Sequence, residues 1–347
     1  MKVCVHCFND LELKQFIVSN SKEKGQCDYC QEDSNSELIE IGELLDFFAE
    51  FIQIFKFSAT GVPLAQKIQK DWNLFSSEIS CNNILSDILL ALKSPFIDST
   101  ITVDYTDDII ECFSYWDTLK EEIKWEKRFL TNIDKLEELG WIRHLSQTFQ
   151  LSESEILFRA RLHYKDNQKG INASDMGCPD KLQVPAGRAN PQGIPYLYLS
   201  KDVETALYEV RASFLDEVSI GTFQIKDHST VTLVDFTAES VSAFSKIDEI
   251  VEFTKGIHLK RCISADLSKP IRRYDSEIDY IPTQFICEYI RYINNMDDQL
   301  IDGIVFNSSL HSGGKNVVLF NQDKVECISV ALHQVTKVEI QARIIGV

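Results

Sequence analysis

The spacing of apolar residues changes character about halfway along the chain. From Leu38, the positions Ile41, Leu44, Leu45, Phe48, Ile52 and Phe55 recur in steps of three and four, the period of a helix with one buried face. A second run, Ile84, Leu85, Ile88, Leu89 and Leu92, follows the same rule, with Asn82 or Asn83 placed to cap it. A third covers Trp116 to about Leu130, interleaved with Lys and Glu, and the following "DKLEELGW" stops at Gly140. Residues 35–150 therefore predict a helical domain, with short extended links around "STITVDYTD".

After Ser152 the period shortens to two. "ILFRARLHY" places Ile156, Phe158, Ala160 and Leu162 on one face and Arg159, Arg161 and His163 on the other. Short strands are expected at "PYLYLS", "SIGTFQI", "TVTLVDF", "GIVFNS", "NVVLF", "CISVAL" and "KVEIQARII", with helices over Val203–Phe214 and Pro282–Ile293. Pro282 suits a first helical turn. Strands outnumber helices and do not alternate with them, so residues 151–347 predict an α+β domain rather than a doubly wound sheet.

The first 34 residues stand apart. Cys4 and Cys7 form one C-x-x-C, Cys27 and Cys30 a second, with nineteen residues between the pairs. Two such knuckles present four thiolates tetrahedrally, the set a structural zinc ion takes, and leave it no open position for catalysis. His6, between the first two cysteines, points to solvent on this reading. The expected order is a zinc knuckle (1–34), a helical domain (35–150) and the α+β domain (151–347).

Charge narrows the function. With 53 acidic against 35 basic residues the net charge is −18, which repels phosphate backbones and makes general nucleic-acid binding an unfavoured reading. No apolar run reaches the ~18 residues of a membrane span, and "MKVCVHCFND" does not read as a signal peptide. A metal-type cysteine pattern with six scattered thiols points to a reducing cytoplasm.

Candidate chemistry gathers in the second half. Arg159, Arg161 and Arg188 are the side-chain type that clamps phosphate through paired hydrogen bonds, although a single arginine more often makes an ion pair. In "DVETALYEVRASF", Asp202 is the N-cap, and Thr205, Ala206 and Glu209 share one stripe. Small residues on that stripe imply close packing on a sheet, carrying Glu209 to the interior or a cleft edge. Glu204 and Glu217 lie off it and read as solvated. "DGIVFNSSLHSGGKNVVLF" is a strand ending in two serines, a Gly-Gly turn and a return strand. Its Ser308 is equally well read as a ligand-facing rim or as a turn residue. No G-x-S-x-G elbow, P-loop or G-x-G-x-x-G fingerprint is present.

Taken in order, "FRAR", "GRANPQG", "PYLYLSKDVETALYEVR" and "DGIVFNSS…GGKNVVLF" resemble the RES domain family over about residues 151–340. The segment ahead resembles the HEPN-type domain fused to some RES proteins. The HEPN nuclease motif is absent, because the arginine nearest His144 is the adjacent Arg143, so that segment reads as scaffold or sensor. The resemblance implies an ADP-ribosyltransferase-like mixed-sheet fold that takes NAD as substrate and cleaves its nicotinamide–ribose bond, by phosphorolysis or hydrolysis. Such toxins are held by an antitoxin, in toxin–antitoxin or anti-phage defence systems; a sensor partner or homo-oligomer stays open. It further implies that Arg159 or Arg161, with Arg188, Asn190 and Asn316, binds the dinucleotide, that Tyr198 packs beside the nicotinamide ribose, and that the catalytic set is Glu209 as the carboxylate, Ser308 as a hydrogen-bonding partner in the pocket, and Arg188. Ala189 stands where the family often has Trp. ADP-ribosyl transfer to a macromolecule, or a silent zinc-bearing interaction protein, are the alternative readings.

Overall fold

Lys2–Cys4 is too short to stand alone as a strand, and its Val3 and Cys4 pair with Ile39 and Leu38 and are buried there. The computed structural model describes the chain except residues 31–34, 165–168, 238–240, 271–276, 295–299, 340–341 and 343–347. Its chain forms two compact units, Met1–Ser114 with Glu239–His258, and Tyr115–Ala238 with Leu259–Val347.

In the first unit, β1 (Lys2–Cys4), α1 (Leu11–Asn20), β2 (Glu23–Gly25) and β3 (Ser36–Glu40) build an antiparallel sheet of order β1-β3-β2. Asp10 caps α1 by accepting from the Leu13 N–H at 3.1 Å. There follow α2 (Leu45–Ile52), β4 (Phe55–Pro63), α3 (Leu64–Trp72), α4 (Glu78–Ala91), β5 (Thr102–Tyr105) and the start of α5 (Asp107–Trp125). β4 and β5 pair antiparallel. Phe48, Phe51 and Phe75 form the aromatic centre, and Phe244 from the later segment packs on Phe48 and Phe51.

The expected helical domain is therefore a mixture of helices and strands. Leu38 lies on β3, and Phe55 opens a strand whose "FKFSATGVP" alternates and contains β-branched residues. The cap of the second helix is Ser77, which accepts from Ser80 N–H; Asn82 and Asn83 lie inside α4.

The second unit carries α6 (Ile133–Glu138) and α7 (Trp141–Leu145), separated by Gly140 at φ 71°, a conformation glycine takes without strain. Its centre is an eight-stranded sheet made from β6 (Thr148–Gln150), β7 (Leu157–Leu162), β8 (Leu197–Ser200), β9 (Glu217–Ile225), β10 (Thr232–Phe236), β11 (Gly303–Asn307), β12 (Lys315–Leu319) and β13 (Val325–Gln334). The order is β13-β9-β7-β8-β12-β11-β10-β6, antiparallel except for β10 with β11. This is the α+β, mixed-sheet architecture the sequence predicts. One face buries Leu157, Leu197, Leu199, Val305, Val317 and Leu319. On the other, Ala160, Val218 and Ile220 pack against Ala206 of α8 (Val203–Glu209). α9 (Ile250–Leu267) and α10 (Ile281–Ile293) complete the described helices.

α8 ends at Glu209, short of the expected Phe214, because Arg211 and Leu215 take positive φ angles of 53° and 72° that no helix continues through. α9 was not expected: its sequence contains Gly256 and several β-branched residues, although its buried Ile250, Phe253, Leu259, Ile263 and Leu267 do recur in helical steps. A strand over residues 337–345 is not formed at 337–339, and residues 340, 341 and 343–345 lie outside the described set.

Candidate functional site

β7 and β8 share a single register pair, Phe158 with Ser200, and then part. Where they part, Phe158, Arg159 and Ala160 of one strand and Tyr198, Leu199 and Ser200 of the other line a cavity of about 310 Å³. Arg188, Glu209, Ser309 and Asn316 complete its polar wall. That volume and a mixed apolar and polar lining suit a small-molecule site.

Glu209 reaches this wall from the last turn of α8. Asp202 sets the helix: its carboxylate accepts from the Thr205 N–H at 2.7 Å, and its backbone is extended, as an N-cap requires. Thr205 and Ala206 are buried on the stripe that carries Glu209, while Glu209 is exposed at the cavity edge. Its Oε1 accepts from Ser308 Oγ and from Asn316 Nδ2, each at 2.7 Å. Asn316 is buried, and its Oδ1 accepts from Ser200 Oγ at 2.9 Å, which fixes the amide orientation. Ser308 Oγ accepts from the N–H groups of Leu310 and His311, both at 3.1 Å, so its proton is left for Glu209. The carboxylate is thus held by one oxygen, with the other unengaged by these donors.

Two arginines line the same cavity. Arg159 Nη1 is buried and has no hydrogen-bond partner among the described residues. Burial, with Arg161 beside it, pulls its pKa down to about 10, so it stays charged at neutral pH. A buried donor of a charged side chain left without a partner is costly. Arg188 is differently supported. Nη1 donates to Asp266 O at 3.1 Å and Nη2 to Lys269 O at 2.8 Å, so it caps the end of α9 while lining the cavity. Burial lowers its pKa, opposed by Tyr280, Glu209 and Tyr198.

The loop that carries Arg188 is fixed from two sides. Thr283 Oγ1 donates to Arg188 O at 2.5 Å, and Gln284 Nε2 donates to Gly187 O and Asn190 O at 2.8 and 3.1 Å, both from the first turn of α10. The Tyr198 hydroxyl donates to Asn190 Oδ1 at 2.7 Å and accepts from Ala189 N at 2.9 Å. Gly187 leaves no room for a side chain there: a Cβ would sit 2.4 Å from Asn190 Oδ1 and 2.8 Å from the Tyr198 hydroxyl oxygen.

Of the residues singled out in the sequence, Arg159, Arg188, Tyr198, Glu209 and Asn316 line one cavity, and Ser308 is bonded to Glu209. Two stand elsewhere. Arg161 donates from Nη2 to Gly177 O at 2.6 Å, away from the cavity. Asn190 is buried, its amide spent on Pro185 O, Pro191 O and Tyr198, so it shapes the loop. Glu204 is exposed as expected, but Glu217 is half-buried with Oε2 unpartnered among the described residues, a consequence of its place at the start of β9 rather than on a free surface. Ser309, the second of the two serines that end the strand, lines the cavity, whereas Ser200 is a lining residue the sequence does not single out. Ser200 stands two residues after Tyr198 on the same strand face, a signal the alternation of "PYLYLS" carried.

A second cluster lies in the first unit. Cys4, Cys7 and Cys27 are buried and Cys30 is half-buried. Tetrahedral zinc with sulfurs at about 2.3 Å holds them about 3.8 Å apart. The Sγ separations are 3.9 Å for Cys4–Cys7, 3.4 Å for Cys4–Cys30 and 3.5 Å for Cys7–Cys27, and all four lie within 4.8 Å of one another. The four sulfurs fit a tetrahedral ion, and His6 is exposed.

No described helix is long and apolar enough to cross a membrane. The family model of the RES domain matches residues 156–340, more than half of the chain and all of the cavity lining. No curated protein matches the chain.

Proposed function

Because the chain belongs to the RES domain family, whose members are NAD-utilising enzymes, we propose that it cleaves the nicotinamide–ribose bond of NAD, as a phosphorylase or glycohydrolase acting as a cytoplasmic toxin or defence effector. The observation that carries this reading is a carboxylate, Glu209, oriented by Ser308 and Asn316 on the wall of a cavity that Arg159 and Arg188 also line.

The chemistry follows from charge. Departure of nicotinamide builds positive charge on the ribose, as glycoside cleavage does, and a fixed carboxylate lowers the energy of that state. Ser308 and Asn316 hold Glu209 Oε1, which leaves Oε2 to face the sugar. Arg159 and Arg188 offset the pyrophosphate charge inside an otherwise acidic protein. The carboxylate, being at an exposed edge, admits phosphate or water as acceptor. In the first unit, Cys4, Cys7, Cys27 and Cys30 would hold one zinc ion with a structural task, since four thiolates fill its coordination. An antitoxin or sensor protein, and a HEPN-like role for the segment ahead of the RES domain, belong to the same reading.

The test is incubation of the purified protein with NAD, with and without phosphate. Nicotinamide with ADP-ribose-1″-phosphate identifies a phosphorylase; nicotinamide with ADP-ribose identifies a glycohydrolase. A labelled macromolecule would mean ADP-ribosyl transfer, and no turnover under any condition would favour a silent interaction protein.

A further inference from the structure

The turn between β11 and β12 carries Ser308, the serine bonded to Glu209, and three contacts fix that turn to α8. It is closed on itself by Ser308 N–H donating to Gly314 O at 2.8 Å and Gly314 N–H to His311 O at 3.2 Å. The His311 ring then stacks on Tyr208, centroids 5.0 Å apart and planes within 8°. Its Nδ1 lies 2.8 Å from Thr205 Oγ1. The Thr205 hydroxyl has one proton and gives it to Asp202 Oδ2 at 2.7 Å, because a carboxylate can only accept. Thr205 Oγ1 therefore accepts from His311, which fixes the imidazole proton on Nδ1. The other nitrogen, Nε2, lies 3.8 Å from Glu204 Oε1 at the surface.

Gly314 is part of the same fit. A Cβ there would stand 2.3 Å from Thr205 Oγ1 and 2.8 Å from His311 Nδ1. The residue after Gly313 must be small because the histidine–threonine contact closes against its backbone.

The consequence concerns Ser308. Its Oγ is aimed at Glu209 by two N–H groups, one of them His311's own. If the imidazole lets go of α8, the turn loses the anchor that holds those N–H groups in place. We propose that His311 is a positioning residue for the reaction: through Thr205 and Asp202 it locks the 308–314 turn onto α8, and so keeps the Ser308 hydroxyl on Glu209. It touches no reacting atom. The assignment rests on the reading of Glu209 and Ser308 as the chemical pair, and goes beyond it by naming what holds them together.

The test compares the parent with His311→Ala, His311→Asn, Ser308→Ala and the His311→Ala/Ser308→Ala double variant. The asparagine amide occupies the place of Nδ1–H and can donate to Thr205. Nicotinamide release over a range of NAD concentrations should show kcat reduced about tenfold in His311→Ala, with KM within about twofold, and largely recovered in His311→Asn. A fall of this size corresponds to about 1.4 kcal/mol of transition-state stabilisation. The double variant should be no slower than Ser308→Ala, because a residue acting through Ser308 has nothing left to position. Additive losses in the double variant, or a KM effect alone, overturn the proposal. Amide hydrogen exchange is the arm that needs no turnover: residues 308–314 should exchange faster in His311→Ala than in the parent, and unchanged exchange also overturns it. A parent that releases no nicotinamide refutes the NAD reading, and the exchange arm then decides the lock by itself.

Discussion

Glu209→Gln is the substitution that separates charge from shape. Oε1 accepts two hydrogen bonds, from Ser308 Oγ and Asn316 Nδ2, both at 2.7 Å. A glutamine can keep both only by placing its carbonyl oxygen there. The flipped amide would set its NH2 against the Asn316 NH2, whose orientation Ser200 fixes through Asn316 Oδ1. The amide NH2 must then take the place of the second carboxylate oxygen, facing the cavity. The network survives, the side-chain volume is unchanged, and what disappears is the negative charge that the proposed function sets next to a developing ribosyl cation. Loss of a preorganised group of this kind costs a factor of about 10²–10⁴ in turnover, or about 2.7–5.4 kcal/mol of barrier. Ground-state binding should change little, because the proposed function gives the phosphates to Arg159 and Arg188. Nicotinamide release by chromatography gives kcat and KM, calorimetric titration with NAD gives affinity, and thermal melting checks that the fold is intact. A variant that melts like the parent and turns over at a similar rate would mean that Glu209 does not carry the chemical step.

The other outcomes divide binding from folding. Arg159→Met should weaken NAD binding about 10- to 100-fold while leaving the melting temperature at or above that of the parent, because it removes a buried charge whose Nη1 has no partner in the described protein; titration calorimetry and melting measure the two effects. Arg188→Ala should raise KM and also lower the melting temperature, since two backbone carbonyls at the end of α9 lose their donor. Metal analysis should find about one zinc per chain, absent from Cys27→Ala; a chain purified intact without metal refutes the site. His144, fully buried on α7, should when changed to Ala lower stability and leave cellular RNA profiles untouched.

What could be read in advance depended on how local the determinant is. The stripe Thr205–Ala206–Glu209, its Asp202 cap and the strands at "PYLYLS" and "GIVFNS" are set by residues close in sequence, and the structure forms them where periodicity puts them. The cysteine knuckles were legible because two C-x-x-C pairs are short-range features, and the structure gathers their four sulfurs within 4.8 Å of one another. Strand β3 was not, since Leu38 and Ile39 are equally apolar in a helix, and pairing with β1 and β2 decides between the two. The arginine pair shows the same limit. Alternation puts Arg159 and Arg161 on one side of β7, and it is the parting of β7 from β8 that gives Arg159 to the cavity while Gly177 takes Arg161. Asn190 and Tyr198 were legible as neighbours of a site but not in their task, because a hydrogen bond between them cannot be read from spacing.

The lone register pair between β7 and β8 has a mechanical meaning. On one side stand β13, β9 and β7 with Arg159; on the other stand β8, β12, β11, β10 and β6 with Tyr198, Ser200 and Asn316. A sheet joined across one rung resists shear along its other seams far more than along this one. Backbone pairing is therefore sparsest where the cavity opens, and a molecule bridging Arg159 to the opposite wall would supply the rungs that the backbone leaves out. Such a ligand acts as a splint: occupancy should stiffen the two half-sheets into one body, and anything that wedges the seam open disarms the site without touching a catalytic atom.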